Sequence, residues 1–230
     1  MMRLIFSHIQ KTGGLQFYSK IIENYGRENV LVVGSKKTGA DIEPKELRRL
    51  NISQTYRLKC TKAIIGHLSL IECENSDNLM EWIEKEKPKV ISILRNPMER
   101  VISLYKFINE RTEHPLNESI KDISFQDFAF KMPNDIQTKW INNRFINGQF
   151  VYVGNILLKP KLFRTENVTE EFGKYLIENN MISSYPGLKD RNQTIDKNNK
   201  EFENKIIAEY FKSGLDFKLV NSLIKRPLVK

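Results

Sequence analysis

The sequence predicts an α/β fold: a single domain with a mostly parallel central sheet flanked by helices. Three observations predict it. Short apolar runs of β type alternate with longer amphipathic stretches, the pattern of strands joined by covering helices. The run Val90-Ile91-Ser92-Ile93-Leu94 is almost continuously apolar, as a strand covered on both faces requires. The chain has 230 residues, 40% hydrophobic and 28% charged, which suits a globular domain with a core of useful size. No repeat, low-complexity tract or linker interrupts it, so residues 1–230 read as one domain.

Strands are expected at Arg3–Ile9, Val30–Val33, Ala63–Gly66, Val90–Leu94 and Lys161–Arg164. A first helix should follow Gly14, with Leu15, Tyr18, Ile21 and Ile22 at helical spacing. Asp77–Lys85 carries Leu79, Trp82 and Ile83 on one helical face. Pro97–Asn109 has the strongest signals, with Asn96 placed to cap it and Pro97 in its first turn. Further helices are expected at Phe125–Lys131, Ile136–Phe145, Thr169–Asn179, Lys200–Phe211 and Phe217–Ile224. The segments Gly34–Glu43, Arg111–Ser124 and Ser183–Asn199 read as loops.

A formal net charge of +9 suits an anionic partner: nucleic acid, nucleotide, acidic glycan or membrane surface. The chain also has 25 Lys, 26 Ile and 21 Asn against 4 Ala, a bias that an AT-rich genome produces equally well. No apolar run approaches the roughly 20 residues of a membrane span. Residues 1–6 are too short for the apolar region of a secretory signal. Cys60 and Cys73 have neither a zinc nor a redox spacing. A reduced, soluble, cytoplasmic protein is expected, without a disulfide scaffold or a membrane span.

Two segments have the chemistry of anion sites. In the first, the strand Leu4-Ile5-Phe6-Ser7-His8-Ile9 leads through Gln10-Lys11-Thr12-Gly13-Gly14 into a helix. Glycines let the backbone approach a ligand, the first-turn N–H groups point at it, and the helix dipole favours negative charge. Lys11 adds a movable charge and Thr12 a hydroxyl; an ordinary turn with a solvated lysine is the bland alternative. It is not a Walker A loop, because Gly-x-x-x-x-Gly-Lys-Ser/Thr is absent. In the second, Arg95 stands at the carboxyl end of the 90–94 strand, where ligands bind in open α/β sheets. Arg100, Ser103 and Lys106 repeat every three residues along one face of the next helix. A planar guanidinium and a hydroxyl at Arg95 and Ser103 suit a phosphate; solvating a surface helix is the alternative for Arg100 and Lys106, and the preferred reading for Lys106.

Together these segments resemble the paired signatures of sulfotransferases that use 3′-phosphoadenosine 5′-phosphosulfate (PAPS). The first is similar to that family's 5′-phosphosulfate loop, H-I-P-K-T-G-G-T-S. The second is similar to its 3′-phosphate motif, R-x-P-x-x-R-x-x-S-x-Y, with Arg95 and Ser103 in the matching places. The branch most resembled contains glycan 2-O-sulfotransferases and small bacterial sulfotransferases. Weaker echoes follow at Gly66-His67, Gln137-Thr138-Lys139, Arg164-Thr165-Glu166-Asn167, Asn192 and Asp216-Phe217. Gln10 departs from the family's Pro, and Leu15-Gln16 from its Thr-Ser, which removes one hydroxyl ligand.

The resemblance implies a P-loop-like sulfotransferase fold, PAPS as sulfuryl donor, no metal, and an acceptor hydroxyl on a saccharide. It places Lys11 on the leaving-group side of the sulfate, Thr12, Gly13 and Gly14 on the 5′-phosphate, and Arg95 and Ser103 on the 3′-phosphate. His67 matches the glycine-histidine pair that carries the general base in related enzymes, against a structural histidine at that turn. His8 lies inside a strand, where a buried, hydrogen-bonded ring is expected, and His114 in a polar loop, where a solvated one is. Glu166 is a rival base, with an Arg–Glu pair or a helix cap as its other role. Lys139, Asn142, Asn143 and Arg144 are candidates for the acceptor side, and Trp140 for stacking on a sugar or for the core. Lys189 and Arg191 are candidates to close over the cofactor. Two other functions compete. A P-loop-like small-molecule kinase would need a Walker A sequence and an acidic magnesium ligand. A non-catalytic polyanion-binding module would spread its basic residues over a surface with aromatics between them. Nucleic acid is not the expected partner.

Overall fold

The computed structural model describes residues 2–141, 151–182, 202 and 204–224. Its strands are β1 (Leu4–Ser7), β2 (Val30–Val33), β3 (Ala63–Gly66), β4 (Lys89–Leu94), β5 (Val151–Val153), β6 (Ile156–Leu158) and β7 (Lys161–Arg164). Five of them form one sheet in the order β2-β3-β1-β4-β7, every neighbouring pair parallel. The short β5 and β6 pair antiparallel to each other and were not expected. The α/β class and the parallel sheet are as the sequence predicts.

Side chains alternate between the two faces of the sheet, as the pleat requires. Ile5, Leu31, Ile64 and Val90 enter one core, with Leu58, Leu79, Trp82 and Ile83 of the covering helices. Leu4, Phe6, Val30, Ile65, Ile91 and Phe163 enter the other, with Phe17, Ile21 and Phe172. Burial on both faces is what the nearly unbroken apolar runs of β3 and β4 require.

The helices are α1 (Tyr18–Tyr25), α2 (Ile52–Cys60), α3 (Leu70–Glu74), α4 (Asp77–Glu86), α5 (Pro97–Asn109), α6 (Asn117–Ile120), α7 (Phe125–Lys131), α8 (Ile136–Trp140), α9 (Gly173–Glu178), α10 (Lys205–Ser213) and α11 (Leu215–Ile224). α5 has the predicted bounds and the predicted cap: the Asn96 side chain accepts from the N–H groups of Met98 and Glu99. A 3₁₀ turn at Gly14–Phe17 leads into α1.

Three helices fall outside the sequence expectation. α2 starts at a reciprocal capping box between Asn51 and Gln54, yet Ile52 is 91% exposed and Tyr56 72%. Of its apolar residues Leu58 enters the core while Ile52 and Tyr56 face outward, so no apolar stripe marks the helix. α3 is five residues long, with its own capping box between Ser69 and Glu72. α6 occupies part of the expected loop Arg111–Ser124. The expected helix at Thr169–Asn179 is a π-helical turn at Val168–Phe172 followed by α9. The later part of the expected helix Ile136–Phe145, the loop Ser183–Asn199 and the start of the expected helix Lys200–Phe211 lie outside the described residues. Among the described residues, no helix is long and apolar enough to cross a membrane.

Candidate functional site

Register fixes the site. Ser7 is level with Gly66 on one side and with Ser92 on the other, and Leu94 is level with Arg164. The carboxyl ends of β3, β1, β4 and β7 therefore present His67, the 8–14 segment, Arg95 and Thr165 along one edge. β1 is followed by β2 on one side of it and β4 by β7 on the other, so the connections diverge above this pair, the usual ligand crevice of an open parallel sheet.

Within the 8–14 segment the backbone is held in unusual conformations. Lys11 has φ 67° and Gly13 φ 83°, both left-handed. For a lysine this is uncommon and mildly strained, a state that gathers at functional sites. A Cβ on Gly14 would lie within 3.0 Å of the His8 and Phe6 rings, so only glycine lets the helix start this close over β1. The Thr12 hydroxyl does not face the crevice as expected. It is buried and donates to the Ile9 carbonyl at 2.8 Å, so it is spent within the loop. Thr165 donates in turn to the Thr12 and Leu94 carbonyls, at 2.9 and 3.1 Å, and so stitches the loop to β4.

Lys11 and Arg95 meet here. An Arg95 guanidinium N–H donates to the Lys11 carbonyl at 3.2 Å, and Glu99 lies 3.4 Å from the same guanidinium. The Lys11 ammonium rests 4.1 Å from the centroid of the Phe107 ring, and the Arg111 guanidinium 4.4 Å from it. Partial burial holds the Lys11 ammonium below the usual lysine value; Arg95 and Arg111 push the same way, and Glu110 opposes them. Cations brought this close repel one another, and a bound anion relieves that repulsion.

His67 and His8 lie beside this cluster, stacked with ring centroids 5.0 Å apart. His67 Nδ1 is 3.1 Å from the His8 carbonyl oxygen. A carbonyl only accepts, so in the neutral ring Nδ1 carries the proton and Nε2 is the bare acceptor. Burial lowers the pKa of His67, partly offset by that hydrogen bond. His8 is buried as expected, 2.9 Å from the Tyr18 hydroxyl, with its pKa lowered to about 3 by burial, then by His67 and Lys11.

Other predicted residues stand apart from this group. Ser103 is buried on α5, and no side-chain hydrogen bond joins it to Arg95 among the described residues. Arg100, read as an option for solvating a surface helix, is instead 2% exposed. The Lys106 ammonium lies 4.9 Å from the Phe202 ring centroid. His114 is not simply solvated: its Nδ1 accepts from the Leu116 N–H and its ring meets the edge of Phe107. Glu166 pairs with Arg164 at 3.1 Å, the Arg–Glu pair among its expected roles. Lys139 pairs with Asp135 at 2.9 Å, and Trp140 packs with Ile9, Leu94 and Ile141. Asn142, Asn143, Arg144, Lys189, Arg191 and Asn192 lie outside the described residues.

Sequence reasoning passed over Phe107 and Arg111. A cation–π clasp joins side chains from distant segments, and the only local signal was an aromatic one turn beyond Ser103.

Among solved structures, sulfotransferases are structural neighbours of this chain. One is mouse sulfotransferase SULT7A1 complexed with PAP: 13% identity, TM-score 0.45, covering 88% of this chain and 63% of that one. The chain thus spans less than two thirds of the mouse protein's length. Another is a sulfotransferase from Alicyclobacillus acidocaldarius, with 12% identity, TM-score 0.47, and coverage of 99% of this chain and 97% of that one. No family model matches the chain, and no curated protein matches it.

Proposed function

We propose that this chain is a PAPS-dependent O-sulfotransferase that transfers a sulfuryl group to an acceptor hydroxyl on a carbohydrate, without a metal, with residues 1–230 acting as one domain. The observation that carries the reading is the 3.2 Å contact between Arg95 and the Lys11 carbonyl. It brings two candidate anion-binding segments, 84 residues apart in the chain, together at one crevice. The free thiols of Cys60 and Cys73 fit a reducing, cytoplasmic setting.

The residues present fit such a donor: two cations, left-handed backbone at Lys11 and Gly13, and a glycine where any side chain would collide. When bound, PAPS supplies an activated sulfuryl group and a nucleotide leaving group. Backbone N–H groups at Thr12, Gly13 and Gly14 receive the 5′-phosphate. Arg95, with Ser103 one helical stretch further on, receives the 3′-phosphate. Lys11 neutralises charge that builds on the leaving oxygen. His67 Nε2 accepts the acceptor's proton, its ring held in the right tautomer by the His8 carbonyl.

Calorimetric titration tests the reading. Adenosine 3′,5′-bisphosphate is expected to bind at least about tenfold more tightly than AMP, the effect of one charged hydrogen-bonding partner. Equal affinities, or no binding of either, overturn it. His67→Ala is expected to lower turnover about 10²-fold, with an acceptor found by screening sugars and phenols with labelled PAPS. Because only the unprotonated ring can accept a proton, and its pKa is lowered, the acid limb of turnover should lie below the ordinary histidine value of 6.5 and vanish in the variant. An unchanged limb in His67→Ala assigns the base elsewhere.

A further inference from the structure

We infer that Gln137 and Asp216 are positioning residues that set the 3′-phosphate selectivity of Arg95 by fixing its backbone from behind; this rests on the assignment of Arg95 above. Arg95 follows the last residue of β4, where sheet pairing ends. Its peptide groups would be unpaired there, but the fully buried Gln137 side chain takes both. Gln137 Oε1 accepts from the Arg95 N–H at 2.9 Å, and Gln137 Nε2 donates to the Arg95 carbonyl at 2.8 Å. One amide thereby does what the next residue of a neighbouring strand would do, and extends the rigid sheet by one residue.

Gln137 is itself held. It lies in the first turn of α8, whose cap position, Asp135, makes no side-chain cap bond. Asp216, from the start of α11, supplies the cap instead. Its carboxylate accepts from the Gln137 N–H at 2.9 Å, from the Thr138 N–H at 2.7 Å and from the Thr138 hydroxyl at 2.9 Å. Asp216 is fully buried, and so is nearly all of Arg100. Burial raises the Asp216 pKa, and the hydrogen bonds from Gln137 and Thr138, then the opposite charge of Arg100, work against that rise; Arg100 Nε and Nη2 have no hydrogen-bond partner among the described residues. A helix cap, a buried counter-charge and an amide clamp thus run from α11 through α8 to one backbone position. Among the described residues the Arg95 guanidinium, by contrast, makes only long contacts of 3.2 and 3.4 Å. Its aim depends on where its backbone is placed.

The test titrates the full chain with adenosine 3′,5′-bisphosphate and with AMP, alongside urea denaturation. Gln137→Met keeps size and removes both bonds to Arg95; Asp216→Asn keeps the shape of the cap and removes its charge. In Gln137→Met the ratio of the two affinities is expected to fall about tenfold, a lost aim for one charged hydrogen bond, with AMP affinity within about twofold of wild type. Asp216→Asn should move the ratio in the same direction. Gln137→Glu, which still accepts from the Arg95 N–H but no longer donates to its carbonyl, should fall between wild type and Gln137→Met. An unchanged ratio in a cooperatively folding Gln137→Met overturns the inference. If that variant does not fold, an unchanged ratio in folded Asp216→Asn overturns it equally. Wild-type protein without a preference for the bisphosphate removes the assignment of Arg95 itself, an outcome distinct from a wild-type preference that the variants retain.

Discussion

Lys11→Ala is expected to lower turnover about 10³-fold while weakening adenosine 3′,5′-bisphosphate binding by no more than about tenfold. The asymmetry follows from what the substitution removes. Arg95 contacts the carbonyl of residue 11 and not its side chain, so the junction between the two anion segments survives. The left-handed backbone at position 11 suits alanine no worse than lysine. What is lost is an ammonium held in a partly dry crevice, where charge on a leaving oxygen is felt strongly and where it develops only as the bond to sulfur breaks. Single-turnover transfer from labelled PAPS, set beside calorimetry with the bisphosphate, separates the two effects. A fall in turnover no larger than the fall in affinity would make Lys11 a binding residue alone.

Arg95→Ala has the opposite profile. It is expected to abolish the preference for the bisphosphate over AMP, a loss of about 10²-fold in affinity for the former, because a bidentate guanidinium–phosphate contact supplies two charge-assisted hydrogen bonds. AMP binding should hardly change, since the 5′-phosphate is assigned to backbone groups of the 12–14 segment. Competition of both nucleotides against a fluorescent adenine analogue reads the ratio directly. Equal losses for the two nucleotides would show that Arg95 supports the crevice as a whole. Arg95→Lys is a useful companion: a point charge replaces a planar fork, and only part of the preference should return.

Much of the sheet could be read from the chain because its strands are buried on both faces. Runs such as Ala63–Gly66 and Val30–Val33 then have the same bounds in the sequence reading and in the structure. α5 was legible for another reason, its cap and its proline being local signals. α2 was not, because the side chains at Ile52 and Tyr56 point to solvent and leave no apolar stripe. The same division runs through the site. Lys11, Gly13, Gly14 and Arg95 were picked out by position at strand ends, and the structure brings Lys11 and Arg95 into contact there. The Thr12 hydroxyl was misread because a sequence does not say which way a rotamer turns. The burial of Arg100 was not legible because the opposite charge that acts on it, Asp216, lies 116 residues later, and an interaction at that distance leaves no trace in local periodicity. Phe107 lay outside the reading altogether: its part depends on two cations from separate segments converging on one ring.

The stacked histidines carry a consequence for the protein's tolerance of acid. His8 titrates near 3 in the folded chain and near 6.5 once released. Below about 6.5 the unfolded chain therefore takes up a proton that the folded chain refuses, and folding stability declines as pH falls from there toward 3. Urea midpoints measured between pH 7 and 4 should fall steadily, and the slope should flatten in His8→Phe; a slope unaffected by the substitution would assign the acid response to other groups. Souring the solution thus acts twice at one place: it protonates the His67 Nε2 that the proposed base role needs bare, and it loosens the strand end on which His67 leans. Activity and fold would fade together on the acid side, and the working range of the protein would be bounded below by the neutrality of two touching rings.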